Sequence, residues 1–257
     1  MSADQATLEI ESYTGDGAIG VITLNRPAVH NAVDEATMAR LESLLDRVEA
    51  EPRLRVLILT GAGGETFSAG GDLKYFSRLD TRAAAIAMSE RMQAILARLY
   101  QGERVVIAAV NGQALGGGCE MLTACHLRIA SLGARFSFRQ AANGLTTGWG
   151  GGTRLFALVG RAHALDLLLT SRTIDAGEAL AMGLIDRAVP ADRLMDEARR
   201  LARAVSANPA SSIRAFLDLA RAIDRCDRGE AVRRETQLFG DCWIGKDFRR
   251  ILRSFVK

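Results

Sequence analysis

Two stretches of this chain follow an apolar run with glycines at a point where the backbone must turn. In the first, residues 56–60 lead into Phe67-Ser68-Ala69-Gly70-Gly71-Asp72-Leu73-Lys74. In the second, residues 105–110 lead into Asn111 and then Gly116-Gly117-Gly118-Cys119-Glu120. Glycine lets a turn present its backbone N–H groups without side-chain obstruction. The second stretch also opens a helical pattern, so its free N–H groups and helix dipole favour negative charge. Two such donors aimed at one point would make an oxyanion hole, in which each donor is worth roughly 3–4 kcal/mol of transition-state stabilisation. Glycine runs of this kind equally serve tight turns with no chemistry, so the pattern alone leaves both readings open.

The elements around these stretches alternate strand and helix. Residues 18–25 form a strand pattern stopped by Asn25-Arg26-Pro27, and Asp34 stands as an N-cap before Met38, Leu41, Leu45 and Val48 at helical spacing. Residues 55–60 and 104–110 are short apolar strands, with a helical pattern over 81–100 between them. Residues 119–124 continue as a helix, and 127–131 and 135–138 as strands. A further glycine cluster occupies 148–152. Beyond Arg161 helices dominate, over 162–169, 176–182, 191–205, 209–225 and 229–239, with one strand at 184–189. No internal repeat stands out. An α/β body with a helical C-terminal third follows.

The bulk properties exclude several classes. The chain has 257 residues, 48% hydrophobic, with a net charge of +3. That composition suits a globular core and not a disordered chain. Lysine occurs only at Lys74, Lys246 and Lys257, the other basic residues being arginines. No basic patch interleaved with aromatics points to nucleic acid. The four cysteines, Cys119, Cys125, Cys226 and Cys242, form no CxxC pair, and there are three histidines, so a zinc site is not expected. The N-terminus has no secretory pattern and no apolar stretch is long enough to span a bilayer, so a cytoplasmic protein with no membrane partner is expected. No Ser-His-Asp spacing is readable, and the 148–152 cluster lacks the Lys-Ser/Thr ending of a phosphate loop.

Three motifs together resemble the crotonase (enoyl-CoA hydratase/isomerase) superfamily: Ile19-Gly-Val-Ile-Thr-Leu-Asn-Arg-Pro, Phe67-Ser-Ala-Gly-Gly-Asp-Leu-Lys and Ala108-Ala-Val-Asn-Gly-Gln-Ala-Leu-Gly-Gly-Gly-Cys-Glu. Leu158-Val-Gly-Arg-Ala and Ala179-Leu-Ala-Met-Gly-Leu-Ile-Asp-Arg-Ala-Val-Pro agree with it. The resemblance implies the crotonase (ClpP-like) α/β fold of repeated β-β-α units, with residues 1–190 as the core and 191–257 as a C-terminal helical region for trimerisation. It implies a homotrimer or dimer of trimers in fatty acid metabolism. The substrate would be an acyl thioester of coenzyme A, or of an acyl carrier protein, with coenzyme A entering only as part of the substrate and no permanent cofactor.

By position, the resemblance makes the N–H groups of Gly71 and Gly117 the oxyanion-hole donors. Ala69, Gly70, Asp72, Leu73 and Gly116 would border the ligand, with Arg26, Val29, Asn31 and Ala32 on an N-terminal loop beside it and Lys74 near the CoA phosphates. Glu120 matches the first catalytic glutamate of the hydratases. The second falls on Gln140, which cannot exchange a proton. No Asp or Glu lies between Arg135 and Arg161 to replace it. Trp149, followed by Gly150-Gly151, and the segment Glu235-Thr-Gln-Leu-Phe-Gly-Asp-Cys-Trp are closer to the ethylmalonyl-CoA decarboxylase branch. Trp149 and Leu145 would then wall the acyl pocket. Of the histidines, His30 lies beside the ligand loop, His126 stands where the family usually has Asp, and His163 falls in a helix. Decarboxylation of a short malonyl-type acyl-CoA fits these parts. Its one difficulty is an ionised Glu120 facing the substrate carboxylate, so Glu120 must be protonated or turned aside. Hydration or isomerisation by Glu120 alone, and CoA or RNA binding without catalysis, are the alternatives.

Overall fold

The computed structural model describes residues 5–12 and 17–255. The chain starts with two strands, β1 (Ala6–Ser12) and β2 (Ala18–Leu24), followed by helix α1 (Glu35–Ala50). Strands β3 (Leu54–Gly61) and β4 (Thr66–Ser68) then precede helices α2 (Leu73–Phe76) and α3 (Arg82–Tyr100). Strands β5 (Val105–Val110) and β6 (Gln113–Leu115) precede α4 (Gly117–Thr123). Strands β7 (Leu127–Ser131) and β8 (Arg135–Ser137) precede α5 (Gly151–Thr170). The short strand β9 (Ile174–Asp175), α6 (Ala176–Ala181) and β10 (Arg187–Val189) close the α/β part. Helices α7 (Leu194–Ser206), α8 (Ala210–Arg225), α9 (Arg228–Ile244) and α10 (Lys246–Phe255) complete the described chain.

The β-β-α unit therefore recurs, although the sequence carries no visible repeat. In the units that begin with β3, β5 and β7, the first strand joins one sheet and the second another. The larger sheet has the order β1-β2-β3-β5-β7-β10, antiparallel only at β1-β2. The smaller has the order β4-β6-β8-β9, parallel except at β8-β9. The inner strands β2, β3 and β5 of the larger sheet are near-continuous apolar runs because both faces are covered. Along β3, Leu57 and Leu59 face the cluster holding Met38, Leu41 and Leu45 of α1 and Leu96 of α3. Val56 and Ile58 face the other way, toward Leu194, Ala198 and Ala202 of α7.

The expected helix after Asp34 forms as its residues require. The Asp34 carboxylate accepts from the Thr37 N–H at 2.8 Å, and Met38, Leu41, Leu45 and Val48 are all buried. Several expected bounds differ. The helix expected over 119–124 begins at Gly117, and the strand expected over 184–189 shrinks to its last three residues. The helix expected over 162–169 is the second half of α5, which starts inside the 148–152 glycine cluster and breaks at Gly160, where φ is 73°. The first strand, β1, alternates polar and apolar residues at the edge of the sheet and was outside the expected elements.

His126 joins the fold and not the chemistry. Its Nδ1 accepts from the Val106 N–H at 3.0 Å, and its ring stacks on Tyr100 at 6.2 Å. His163 is exposed on α5, as its helical position implied. Burial pushes the His126 imidazole down from 6.5 to about 4, so the folded chain holds it neutral. The unfolded chain then takes up a proton that the folded chain refuses. Stability is expected to be flat above pH 6.5 and to fall as the pH drops from 6.5 toward 4, by about 2–3 kcal/mol at most. His126→Asn, which keeps an acceptor near Nδ1, should flatten that segment of the profile in urea unfolding. An equally steep loss in the variant would show that His126 is not its source.

Candidate active site

The two glycine segments meet backbone to backbone. A Cβ placed on Gly70, whose φ is +84°, would lie 2.5 Å from the Gly117 nitrogen and 2.8 Å from the Leu115 carbonyl oxygen. A Cβ on Gly118 would lie 2.1 Å from the Ser68 carbonyl oxygen. Only glycine allows this approach, and β4 and β6 impose it by lying side by side in the small sheet. Gly70, Gly71, Gly116 and Gly117, expected as parts of one site, are thus brought together.

A rigid frame holds the first segment. The Ala69 N–H donates to the His30 carbonyl at 2.9 Å and the Val33 N–H to the Gly70 carbonyl at 2.7 Å. The Asp72 N–H donates to the Val33 carbonyl at 2.9 Å. This bridge uses the groups on either side of Gly71 and leaves the Gly71 N–H out of it. The Asp72 carboxylate caps α2 through the Lys74 and Tyr75 N–H groups and pairs with Arg26 at 3.0 Å. Burial alone would raise the Asp72 carboxyl, but the Arg26 hydrogen bond and the two backbone donors outweigh it and hold the carboxyl low. In the second segment Gly117 is the first residue of α4, where an N–H has no partner within the helix.

An aromatic ring covers each of these two glycines. A Cβ on Gly71 would fall 2.0 Å from Phe76 Cζ, and one on Gly117 would fall 2.3 Å from Trp149 Cζ3. Trp149 is buried, whereas Leu145 is 59% exposed. Phe76 was not anticipated. Its only sequence signal is an aromatic residue one short helix beyond the glycine pair.

Glu120 is 2% exposed, and its carboxylate is completely engaged. Oε1 accepts from Gln140 Nε2 at 2.9 Å and from the Gly148 N–H at 3.3 Å. Oε2 accepts from the Trp149 N–H at 2.7 Å and from the Gly151 N–H at 2.9 Å. The last donors belong to the N-terminus of α5, so the carboxylate sits where the dipole of that helix favours an anion. Glu120 and Gln140, which the resemblance set at the positions of two glutamates, are joined by a hydrogen bond. The Gln140 Oε1 is buried with no partner. The backbone donors from 148 to 151 were missed, although the glycine run opening a helix there repeats the pattern used for Gly116–Gly118.

The N-terminal loop is held largely by its own side chains. Asn31 is buried, and its Nδ2 donates to the carbonyls of Ala62 at 3.0 Å and Thr66 at 2.7 Å. Ala32 is also buried, while Val29 is 42% and Leu73 is 75% exposed. Arg26 spends its guanidinium on Asp34, Asp72 and the Ala32 carbonyl. Arg26 and Asn31 thus brace the loop internally. His30 is exposed, with Nδ1 3.2 Å from Thr66 Oγ1. Lys74 is exposed on the rim of a groove of about 610 Å³ shared with Asp72, Tyr75, Arg78 and Arg91. Among the described residues no group of three His, Cys, Asp or Glu could hold a metal, and no helix is long and apolar enough to cross a membrane.

The close approach of the segments is open to a direct check. Gly118→Ala would force its Cβ against the Ser68 carbonyl and should cost about 1–3 kcal/mol of stability. Gly133→Ala, where nothing lies within 4 Å, should cost far less. Equal losses in chemical denaturation would mean that the segments separate without penalty.

Comparison with known proteins agrees with this architecture. The model of the enoyl-CoA hydratase/isomerase family matches residues 14–257. The short-chain-enoyl-CoA hydratase of Clostridium acetobutylicum is 34% identical over 245 residues, covering 94% of this chain and 92% of that protein. The crotonyl-CoA hydratase of Syntrophomonas wolfei is 32% identical, covering 93% and 92%. Among solved structures, an enoyl-CoA hydratase from Bacillus anthracis superposes with a TM-score of 0.90 at 30% identity, covering 96% of this chain and 95% of that one. These relatives carry hydratase names, and the decarboxylase branch suggested by Trp149 is not among them. With the glycine segments, the two sheets and the helical C-terminal region all in place, the chain belongs to the enoyl-CoA hydratase/isomerase family and has the crotonase fold.

Proposed function

We propose that the protein decarboxylates a short malonyl-type acyl-CoA thioester. The observation that carries this reading is the full engagement of Glu120 by Gln140, Gly148, Trp149 and Gly151. Hydration needs a carboxylate free to exchange a proton with water, and usually two of them. Decarboxylation needs neither. A Glu120 turned onto the α5 terminus also removes the like-charge conflict with a substrate carboxylate.

In this mechanism the thioester oxygen lies between the N–H groups of Gly71 and Gly117. The bond from the α-carbon to the carboxylate breaks, and its electron pair forms the enolate, whose charge rests on that oxygen. Carbon dioxide leaves, and the enolate carbon takes a proton from water. Each N–H donor contributes roughly 3–4 kcal/mol to this step. The Trp149 ring beside Gly117 offers the leaving carboxylate an apolar surface, which favours neutral CO2 over the anion.

Ala69, Gly70, Asp72, Leu73 and Gly116 would border the thioester, with the CoA moiety or a carrier-protein arm running past Val29 toward Lys74. Arg26, Asn31 and Ala32 would act by holding that loop. Coenzyme A would enter only as part of the substrate, with no permanent cofactor and no nucleic-acid partner, in the cytoplasm. The region beyond residue 190 would carry the contacts of a homotrimer or dimer of trimers. Phe216, Ile223, Phe239, Trp243 and Ile244, exposed on α8 and α9, suit such burial.

One observation favours hydration or isomerisation instead: the relatives are named enoyl-CoA hydratases. The unpartnered Gln140 Oε1 could hold a water for it. Incubation with methylmalonyl-CoA, ethylmalonyl-CoA, crotonyl-CoA and a 3-enoyl-CoA, followed by mass spectrometry, separates the readings. Loss of CO2 from a malonyl-type thioester is expected. Fast addition of water to crotonyl-CoA without CO2 loss would contradict it, and binding without any turnover would point to a protein that has lost catalysis. Glu120→Gln turns an N–H donor toward the donors that Glu120 accepts from. It should cost about 1–3 kcal/mol of stability together with turnover.

A further inference from the structure

Trp149 is gripped at both ends of its main chain. Its N–H donates to Glu120 Oε2 at 2.7 Å, and its carbonyl accepts from Arg154 Nη2 at 2.9 Å. The same Nη2 donates to the Glu120 carbonyl at 3.2 Å. Arg154 Nε donates to Thr123 Oγ1 at 3.2 Å, and that hydroxyl donates to the Glu120 carbonyl at 2.8 Å. The guanidinium carbon lies 5.9 Å from the centre of the Tyr100 ring. A carboxylate and a guanidinium thus hold the two sides of one residue, and each also belongs to or binds α4.

Arg154 is unusual among the arginines of this chain. Most of the others pair with a carboxylate or lie at the surface. Arg154 forms no ion pair with a carboxylate among the described residues, and its hydrogen bonds go to two carbonyls and a hydroxyl. Burial pushes its value below that of an ordinary arginine, with Glu120 the first charge opposing the shift. A half-buried cation without a direct counter-charge is costly to keep. Its planar fork serves three acceptors on two elements at once, which a lysine cannot do.

We propose that Arg154 is a positioning residue for the active site. Together with Glu120 it fixes the Trp149 main chain and so keeps the indole on Gly117. Its bearing on turnover rests on the reading of the Gly117 N–H as a donor to the thioester oxygen. Its bearing on the position of Trp149 does not.

The chain has two tryptophans, so Trp243→Phe leaves Trp149 as the only indole. In that background, Arg154→Met should shift Trp149 emission to the red and increase acrylamide quenching several-fold. The near-ultraviolet enolate band of bound acetoacetyl-CoA should weaken in parallel, with cooperative unfolding retained. Arg154→Lys should restore the emission in part. A folded Arg154→Met variant with parental emission and parental enolate band would overturn the proposal. If Arg154→Met does not fold, Thr123→Val removes the hydroxyl under Nε while keeping its shape. It should move the emission in the same direction by less, and no movement would overturn the proposal. If the parent itself shows no enolate band while the emission responds to Arg154, the donor role of Gly117 fails and the positioning of Trp149 by Arg154 stands.

Discussion

The contact between Gly70 and Gly117, and between Ser68 and Gly118, is made by backbone against backbone, at separations that no Cβ could share. Everything in the site depends on that contact. It exists because β4 and β6 are neighbours in the small sheet and each is the second strand of a β-β-α unit. The first strands, β3 and β5, are locked between two apolar clusters in the larger sheet. The repeated unit thus delivers two sharp turns to one place, and glycine lets the turns touch. A loop site without this frame would have to order its donors on binding, at an entropic cost of about 1–2 kcal/mol per residue.

Glu120 extends the same logic to a side chain. A buried carboxylate is tolerated when donors surround it, and here the donors are one amide and three backbone N–H groups at a helix terminus. The carboxylate serves α5 as a cap and Trp149 as an anchor. Arg154 answers it from the carbonyl side, so one buried anion and one half-buried cation stabilise the same stretch of main chain without an ion pair between them. The proposed reaction rests on this: with the carboxylate occupied by structure, the two glycine N–H groups would be the chemical resource, and enolate stabilisation the chemistry they would support.

Much of this was legible in the sequence, for physical reasons. Alternation of apolar and polar residues fades where both faces of a strand are buried, and the runs at 55–60 and 104–110 carried that signal. Asp34 before a 3.6-residue period marked α1 and its cap. Gly71, Gly117 and Glu120 were placed by motif, and they lie together. Other features left no trace. The β-β-α repeat is hidden because the helices that follow its strand pairs range from the 4 residues of α2 to the 20 of α5, so no period recurs. Asn31 reads as a polar loop residue, yet it is buried because its amide satisfies two carbonyls that the turn leaves open. The donors to Glu120 come from main chain, which has no sequence signature beyond the glycines that permit it. Arg154 was hidden among many arginines, and only its surroundings distinguish it.

The proposed convergence of the Gly71 and Gly117 N–H groups on one oxygen can be tested without altering the protein. Amide spectra of protein labelled with nitrogen-15 at glycine, titrated with acetoacetyl-CoA, report each N–H separately. We expect the Gly71 and Gly117 amide protons to move downfield together, further than those of any other glycine, and to saturate at the same ligand concentration. Binding that leaves both amides in place, while glycines elsewhere shift, would contradict the assignment of these two donors to the thioester oxygen.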